Sequence, residues 1–168
     1  MPAPVASPDF VAALAQYHSL LWRVARLYCP AAAEQQDLYQ EIVLRLWEAW
    51  PSFDGRAKRS TWLYRVALNV AISARRRQGR RLAPARLDAA ALEVAAPPNP
   101  GPDADDLAAL YQAIGPLSDV EKARVWLRLE DRPHEEIAEI LGLSPGNVRV
   151  KMHRVLEKLR HLLTQPVR

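Results

Sequence analysis

A single cysteine, Cys29, stands in the 168 residues. An intramolecular disulfide is therefore excluded, and so is a metal site of the CxxC kind. Its surroundings at the end of a helical stretch predict a buried structural thiol. No apolar run approaches the roughly 20 residues that a bilayer-spanning helix requires, so membrane insertion is not expected. The opening MPAPVASPDF lacks both the charged start and the long apolar centre of a secretion signal, and a cytoplasmic location is expected. Aromatic residues make up only 7% of the chain while 49% is hydrophobic, a balance that suits helices packed through Leu, Val and Ala. The histidines at 18, 134, 153 and 161 are scattered and unaccompanied. Nucleophile-elbow, phosphate-loop and HExxH patterns are absent. No catalytic residue, metal site or cofactor is expected, and an enzyme is the least supported class. Lys and Arg outnumber Asp and Glu by 23 to 19, giving a net charge of +4 and a pI near 9.5. That tilt permits a nucleic-acid partner without demanding one, because placement of charge matters more than its sum.

What the chain has is helical periodicity, and it is organised around DLYQEIVLRLWEAWPSFDGRAKRSTWLYRVALNVAISARRR, residues 37–77. Leu38, Ile42 and Leu46 form one stripe, flanked by Trp47 and Trp50. Pro51 ends that helix, since proline removes a backbone donor and clashes with the preceding turn. A loop from Ser52 to Ser60 follows, with Ser60 or Thr61 as the cap of the next helix. There Leu63, Val66, Ala67, Val70 and Ala74 are the predicted buried side, opposite Arg65, Asn69 and Arg76. The loop carries Phe53, Lys58 and Arg59, and the helix runs into Arg75-Arg76-Arg77. Rings interleaved with cations suit unstacked bases and their phosphates. A solvated basic face explains the same spacing, and spacing alone leaves both readings open.

The wording is more specific. DLYQEIVLRLW, PSFDG, TWLYRVALN and RRR, in this order, resemble the second conserved region of bacterial sigma factors of the extracytoplasmic-function (ECF) group within the sigma-70 family. The match covers most of residues 10–81. The resemblance implies that the helix bearing Asp37, Gln40, Glu41 and Arg45 docks on the β′ clamp helices of core RNA polymerase. It implies that Phe53 and Asn69 handle a flipped base of the −10 element while Lys58, Arg59, Arg65 and Arg76 hold the backbone. Trp62 falls with this set, but its place at the edge of the apolar arc favours packing over base contact. Many relatives carry a denser acidic cluster where this chain has Glu34-Gln35-Gln36-Asp37, and fewer carboxylates either weaken docking or leave it to another control. If Gln36→Glu left polymerase affinity unchanged, the departure would be neutral.

On the N-terminal side, residues 1–7 are expected to be disordered. Ser7-Pro8-Asp9 starts a long helix with Phe10, Leu14, Tyr17, Leu21, Val24 and Tyr28 on one stripe, stopped by Pro30. His18 lies beside the stripe and reads as a packing or surface residue. Residues 82–104 are rich in Ala and Pro, and Pro97-Pro98-Asn99-Pro100-Gly101-Pro102 breaks any helix. This segment reads as a partly stiff linker, with a short helix over 86–94, between domains at 1–81 and 105–168.

The second domain starts with Leu107, Leu110, Ile114 and Leu117, broken at Gly115-Pro116. Ser118-Asp119-Val120-Glu121 is a capping box for a helix running to about Glu130. HEEIAEIL, with Ile137, Ala138 and Leu141 inward, a turn at Gly142 and a last helix from Pro145 to about Leu163 make a helix-turn-helix layout. Val148, Met152, Val155, Leu159 and Leu162 form the predicted buried stripe of the last helix. Asn147, Arg149, Val150, Lys151, His153 and Arg154 lie on or beside the outer face near its start, the end that enters a major groove. A plain helical bundle with one basic helix remains the bland alternative. PLSDVEKARVWLRLEDRPHEEIAEILGLSPGNVRVKMHRVLEKLR is similar to the fourth conserved region of the same sigma group. That resemblance implies readout of the −35 element by Arg149, Val150, Lys151, His153 and Arg154 and contact with the polymerase β flap, and Asn147 joins them because its amide suits adenine. Group members are commonly held by an anti-sigma factor that clamps both domains. The expected protein is all-α, with two small helical domains on a Pro/Ala-rich linker. Its expected function is promoter recognition and opening together with core polymerase. A stand-alone helix-turn-helix regulator and an adaptor for acidic proteins are the rival readings.

Overall fold

The structure, a computed structural model, describes residues 7–80 and 104–164. Among the described residues there are seven α-helices, one 3-10 turn and no strand. The chain divides into two compact units, residues 1–97 and 98–168. The expected linker helix over 86–94 lies outside the described residues.

In the first unit α1 (Pro8–Tyr28), α2 (Ala32–Ala49) and α3 (Arg59–Arg80) each pack on the other two. Ser7 caps α1 by accepting from the Phe10 amide, with Pro8 at the start of the helix. Helix α1 stops at Tyr28, ahead of Pro30. Its buried stripe includes Phe10, Leu21, Val24 and Tyr28 as expected, but Leu14 and Tyr17 are only half-buried. Ala13, Leu20, Trp22, Ala25 and Leu27 are buried as well, because α1 is covered by two helices and one stripe is too narrow to meet both. Leu38, Ile42 and Leu46 are buried on α2 as the period predicts, each worth about 1.5–3 kcal/mol of transfer free energy. Tyr39 joins them. Its ring stacks on Trp22 at 4.7 Å, and its hydroxyl shares a hydrogen bond with His18 Nδ1 at 2.7 Å. His18 is thus a packing residue. Burial raises the Tyr39 phenol to about 12.

Three expectations for this unit are corrected. Helix α3 begins at Arg59, so Ser60 and Thr61 lie in its first turn, and the Trp62 amide bonds the Lys58 carbonyl at 3.1 Å. The buried arc of α3 is Leu63, Tyr64, Ala67, Leu68, Ala71 and Ile72, while Val66, Val70 and Ala74 are half-buried. At 100° per residue that arc sits about a quarter turn from the predicted one. Cys29 is only partly buried, though burial, assisted by Glu34, raises its thiol to about 11.

In the second unit α7 (Pro145–Thr164) packs on α4 (Ala104–Ile114), α5 (Asp119–Leu129) and α6 (His134–Leu141), and α5 packs on α6. The capping box at α5 is complete: the Glu121 amide donates to Ser118 Oγ at 3.3 Å, and the Ser118 amide donates to Glu121 Oε2 at 2.8 Å. Burial alone would raise the Glu121 carboxyl, but the Ser118 amide and Lys158 hold it below the usual carboxylate range. Gly142 ends α6 at φ +66, the left-handed conformation that glycine takes without a Cβ penalty. Ile137 and Ala138 are buried, but Ile140 rather than Leu141 completes that face. On α7 Val148, Met152 and Val155 are buried, whereas Leu159 is half-buried and Leu162 is 39% exposed. The end of α7 outruns the helices that cover its start.

Candidate nucleic-acid interface

The first basic face grows out of α3. With Leu63, Tyr64, Ala67, Leu68 and Ala71 anchored inward, Arg65, Asn69 and Arg76 fall on the opposite side, and all three are exposed. At the head of the helix the loop residue Phe53 is half-buried. The 3-10 turn Trp50–Ser52 folds the chain back, the Phe53 amide bonds the Trp50 carbonyl at 3.1 Å, and Gly55 at φ +73 completes the reversal. Phe53 then lies 5.3 Å from the Trp62 ring and 6.1 Å from the Trp50 ring, centroid to centroid. Trp50 packs edge-on against Phe10 at 5.2 Å.

Arg59 sits over this cluster, with its guanidinium carbon 5.5 Å from the Trp50 ring centre and 5.8 Å from that of Phe53. It also reaches Asp9 of α1 at 3.6 Å. Arg59 is therefore partly engaged within the protein, while Lys58 stands exposed beside it. Trp62 packs in the cluster, against Trp50 and Phe53. Trp50, which its period places only on the flank of the α2 stripe, is a ring of the same cluster.

On α2 the outer face holds Asp37 and Arg45, both exposed, and Gln40 and Glu41, both half-buried. Glu41 pairs with Arg77 at the far end of α3, and Arg45 Nη1 donates to Glu48 Oε2 at 2.9 Å. Leu44 lies among these groups and is 50% exposed. It is out of phase with Leu38, Ile42 and Leu46, and that mismatch was the available signal that it faces outward.

The second basic face is on α7. Ser144 accepts from the Asn147 amide at 3.3 Å and caps the helix. Arg149, Val150, Lys151, His153 and Arg154 are exposed, Val150 at 55%, and Asn147 is half-buried. His153 Nδ1 lies 3.7 Å from Glu157. All six side chains thus share the free side of α7, backed by Val148, Met152 and Val155. No group of His, Cys, Asp and Glu suited to a metal ion occurs among the described residues.

Residues 13–81 match Sigma-70 region 2, and residues 107–159 match Sigma-70, region 4. RNA polymerase sigma factor CarQ of Myxococcus xanthus is 34% identical over 134 residues, 76% of this chain and 74% of that protein. The chain belongs to the ECF group of sigma-70 family RNA polymerase sigma factors. The ECF RNA polymerase sigma-E factor of Escherichia coli (strain K12) is 29% identical over 153 residues, 84% of this sigma factor and 79% of that protein.

Two solved structures share the fold. One is the sigma factor RpoE in complex with the anti-sigma factor NepR from Bartonella quintana, with TM-score 0.70 and 20% identity, covering 96% of this chain and 100% of that one. The other is CnrH in complex with the cytosolic domain of CnrY, with TM-score 0.65 and 24% identity, covering 92% and 86%. The sigma factor binds core RNA polymerase and directs promoter recognition and opening for transcription initiation. The region 2 match disposes of a stand-alone regulator, which would have no use for residues 13–81. No described helix is long and apolar enough to cross a membrane.

Proposed function

We propose a division of labour between two domains, 1–81 and 105–168, joined by 82–104. The first docks on the β′ clamp helices through Asp37, Gln40, Glu41 and Arg45, with the exposed Leu44 adding apolar contact at the centre of that face. It captures a flipped −10 base between Phe53 and Asn69, while Lys58, Arg59, Arg65 and Arg76 hold the opened strand. Trp62 supports Phe53 from behind. The second reads the −35 duplex with Asn147, Arg149, Val150, Lys151, His153 and Arg154 and meets the β flap.

The observation that carries this reading is that each unit has its own exposed basic helix face, backed by its own apolar core. A tether between two such units raises the local concentration of the second once the first is bound. The chain supplies binding in the cytoplasm and the polymerase supplies nucleotidyl transfer. An anti-sigma factor is a fitting partner, since both solved structures of this fold are complexes, one of them with the anti-sigma factor NepR.

The test is run-off transcription with purified core polymerase on a genomic fragment library. Start-site selection that appears with the wild type and disappears with Arg65→Ala/Asn69→Ala supports the assignment. Selection unchanged in that variant refutes it.

A further inference from the structure

The second unit contains a cavity of about 390 Å³ between the start of α5 and a flank of α7, lined by Ser118, Val120, Glu121, Arg124, Lys151 and Arg154. Arg124 is only 4% exposed, and its Nε has no hydrogen-bond partner in the protein. Burial lowers its pKa, opposed by the charge of Glu121. Glu121 does not answer that charge by contact: its Oε2 accepts from the Ser118 amide at 2.8 Å and from Lys158 at 3.2 Å. A guanidinium withdrawn from water is stabilised by any anion that reaches it, and Glu121 supplies only the field of a neighbouring charge. Lys151 and Arg154 open onto the same cavity and are exposed. The start of α5 is already capped by Ser118 and Glu121, so the cations alone supply the attraction, against the single carboxylate of Glu121 in the lining. A buried planar fork and two mobile cations outnumber the Glu121 carboxylate in the lining three to one, and they suit an oxyanion such as phosphate.

The position on α7 says which phosphate. At 100° per residue the centre of the exposed face is Gly146, Val150 and His153. Lys151 and Arg154 are rotated from it toward α5, on the side where Lys158 pairs with Glu121. A helix lying in a major groove reads base edges with its centre and meets the sugar-phosphate strand with its flank.

We propose that this cleft clamps one backbone phosphate of the −35 duplex through Arg124, Lys151 and Arg154. The proposal rests on α7 being the recognition helix. It moves Arg154 from base reading to strand positioning, and it gives a role to Arg124, which sequence reasoning did not consider.

The test uses full-length sigma factor with core polymerase on a promoter fragment, comparing wild type with Arg124→Leu. Leucine replaces a buried cation by a compact apolar group, so the fold is retained. The clamp predicts a salt dependence flatter by about 0.9 in log K against log salt, with affinity roughly tenfold weaker at low salt. The thermal midpoint stays equal or rises. Neutralising phosphates one at a time as methylphosphonates identifies one linkage to which wild type is sensitive and Arg124→Leu is not. Lys151→Ala loses sensitivity at the same linkage.

Wild-type −35 selectivity with identical salt slopes and methylphosphonate profiles in Arg124→Leu overturns the clamp alone. No −35 selectivity in the wild type overturns the recognition-helix reading and the clamp with it. Weaker binding of Arg124→Leu to core polymerase without DNA assigns the cleft to an acidic protein surface and overturns the clamp. So does stabilisation of wild type, but not Arg124→Leu, by millimolar inorganic phosphate while their DNA profiles coincide.

Discussion

Phe53→Leu separates the two jobs that the Phe53 ring can have. The ring is half-buried against Trp50 and Trp62, with Arg59 above it. Alanine there would confuse the outcome. A phenylalanine side chain carries on the order of 150–250 Å² of surface, and half of it at about 25 cal/mol per Å² is about 2–3 kcal/mol of lost burial. Leucine keeps most of that area and loses the π-face, so the first unit forfeits about 1 kcal/mol from its aromatic pairs. Stacking of a captured base is worth about 1–3 kcal/mol, a factor of roughly 5 to 150 in the open-complex equilibrium. The assay is permanganate reactivity of the −10 region in the holoenzyme complex, beside a gel-shift measure of closed-complex affinity and a melting curve of the free protein. Base capture predicts reduced reactivity, closed-complex affinity within about twofold of wild type, and a small shift in melting temperature. Normal opening by Phe53→Leu, or equal loss in closed and open complexes, would refute the reasoning.

Three other substitutions probe the scaffold and the second face. Tyr39→Phe removes the 2.7 Å hydrogen bond to His18 and is expected to cost about 1 kcal/mol in chemical denaturation, with promoter selectivity intact. Because the folded Glu121 carboxyl titrates below its ordinary range, its contribution is complete above that range and is lost as pH falls below it. Glu121→Gln is therefore expected to melt lower than wild type at pH 7, and the gap is expected to close in acid. Arg149→Ala is expected to weaken −35 binding by about 1–3 kcal/mol and to relax preference at one base pair, read by binding to a panel of single-base variants.

What was legible in the sequence was local. Ser118 and Glu121 lie three residues apart and satisfy each other's backbone wherever the helix is placed. Gly142 marks the turn because glycine takes its φ of +66 without a Cβ penalty. Leu38, Ile42 and Leu46 have no apolar competitor on their side of α2 but Tyr39, which extends the same face.

The rest depended on what packs against what. Helix α3 is apolar over most of its circumference, so Val66, Val70 and Ala74 made as good a stripe as Tyr64, Leu68 and Ile72. Two neighbours, α1 and α2, decide between them, and no period in the sequence encodes that choice. Phe53 read as a free loop ring because the 3-10 fold-back that brings it onto Trp50 has no strong local signature beyond Pro51. Arg124 was silent for the opposite reason. An arginine inside KARVWL looks like a solvated position until the surrounding run, from Lys122 to Leu127, is found buried.

The magnitudes also say why such a chain works only in company. Opening DNA unpairs and unstacks several steps at about 1.4 kcal/mol each. One captured base returns about 1–3 kcal/mol, the equivalent of one or two steps. Exposed cations such as Arg65 and Arg76 would, on the proposed reading, add attraction to the strand, but at physiological salt such attraction is weak and applies to duplex and single strand alike. Selectivity for the open state therefore cannot come from either basic face by itself. Under the proposed division of labour, the strand would have to be held at high effective concentration beside the Phe53 rings, by the −35 contact and by the polymerase. Tightening the Phe53 cluster would then change how long a promoter stays open, whereas weakening the α7 face would change how often it is found.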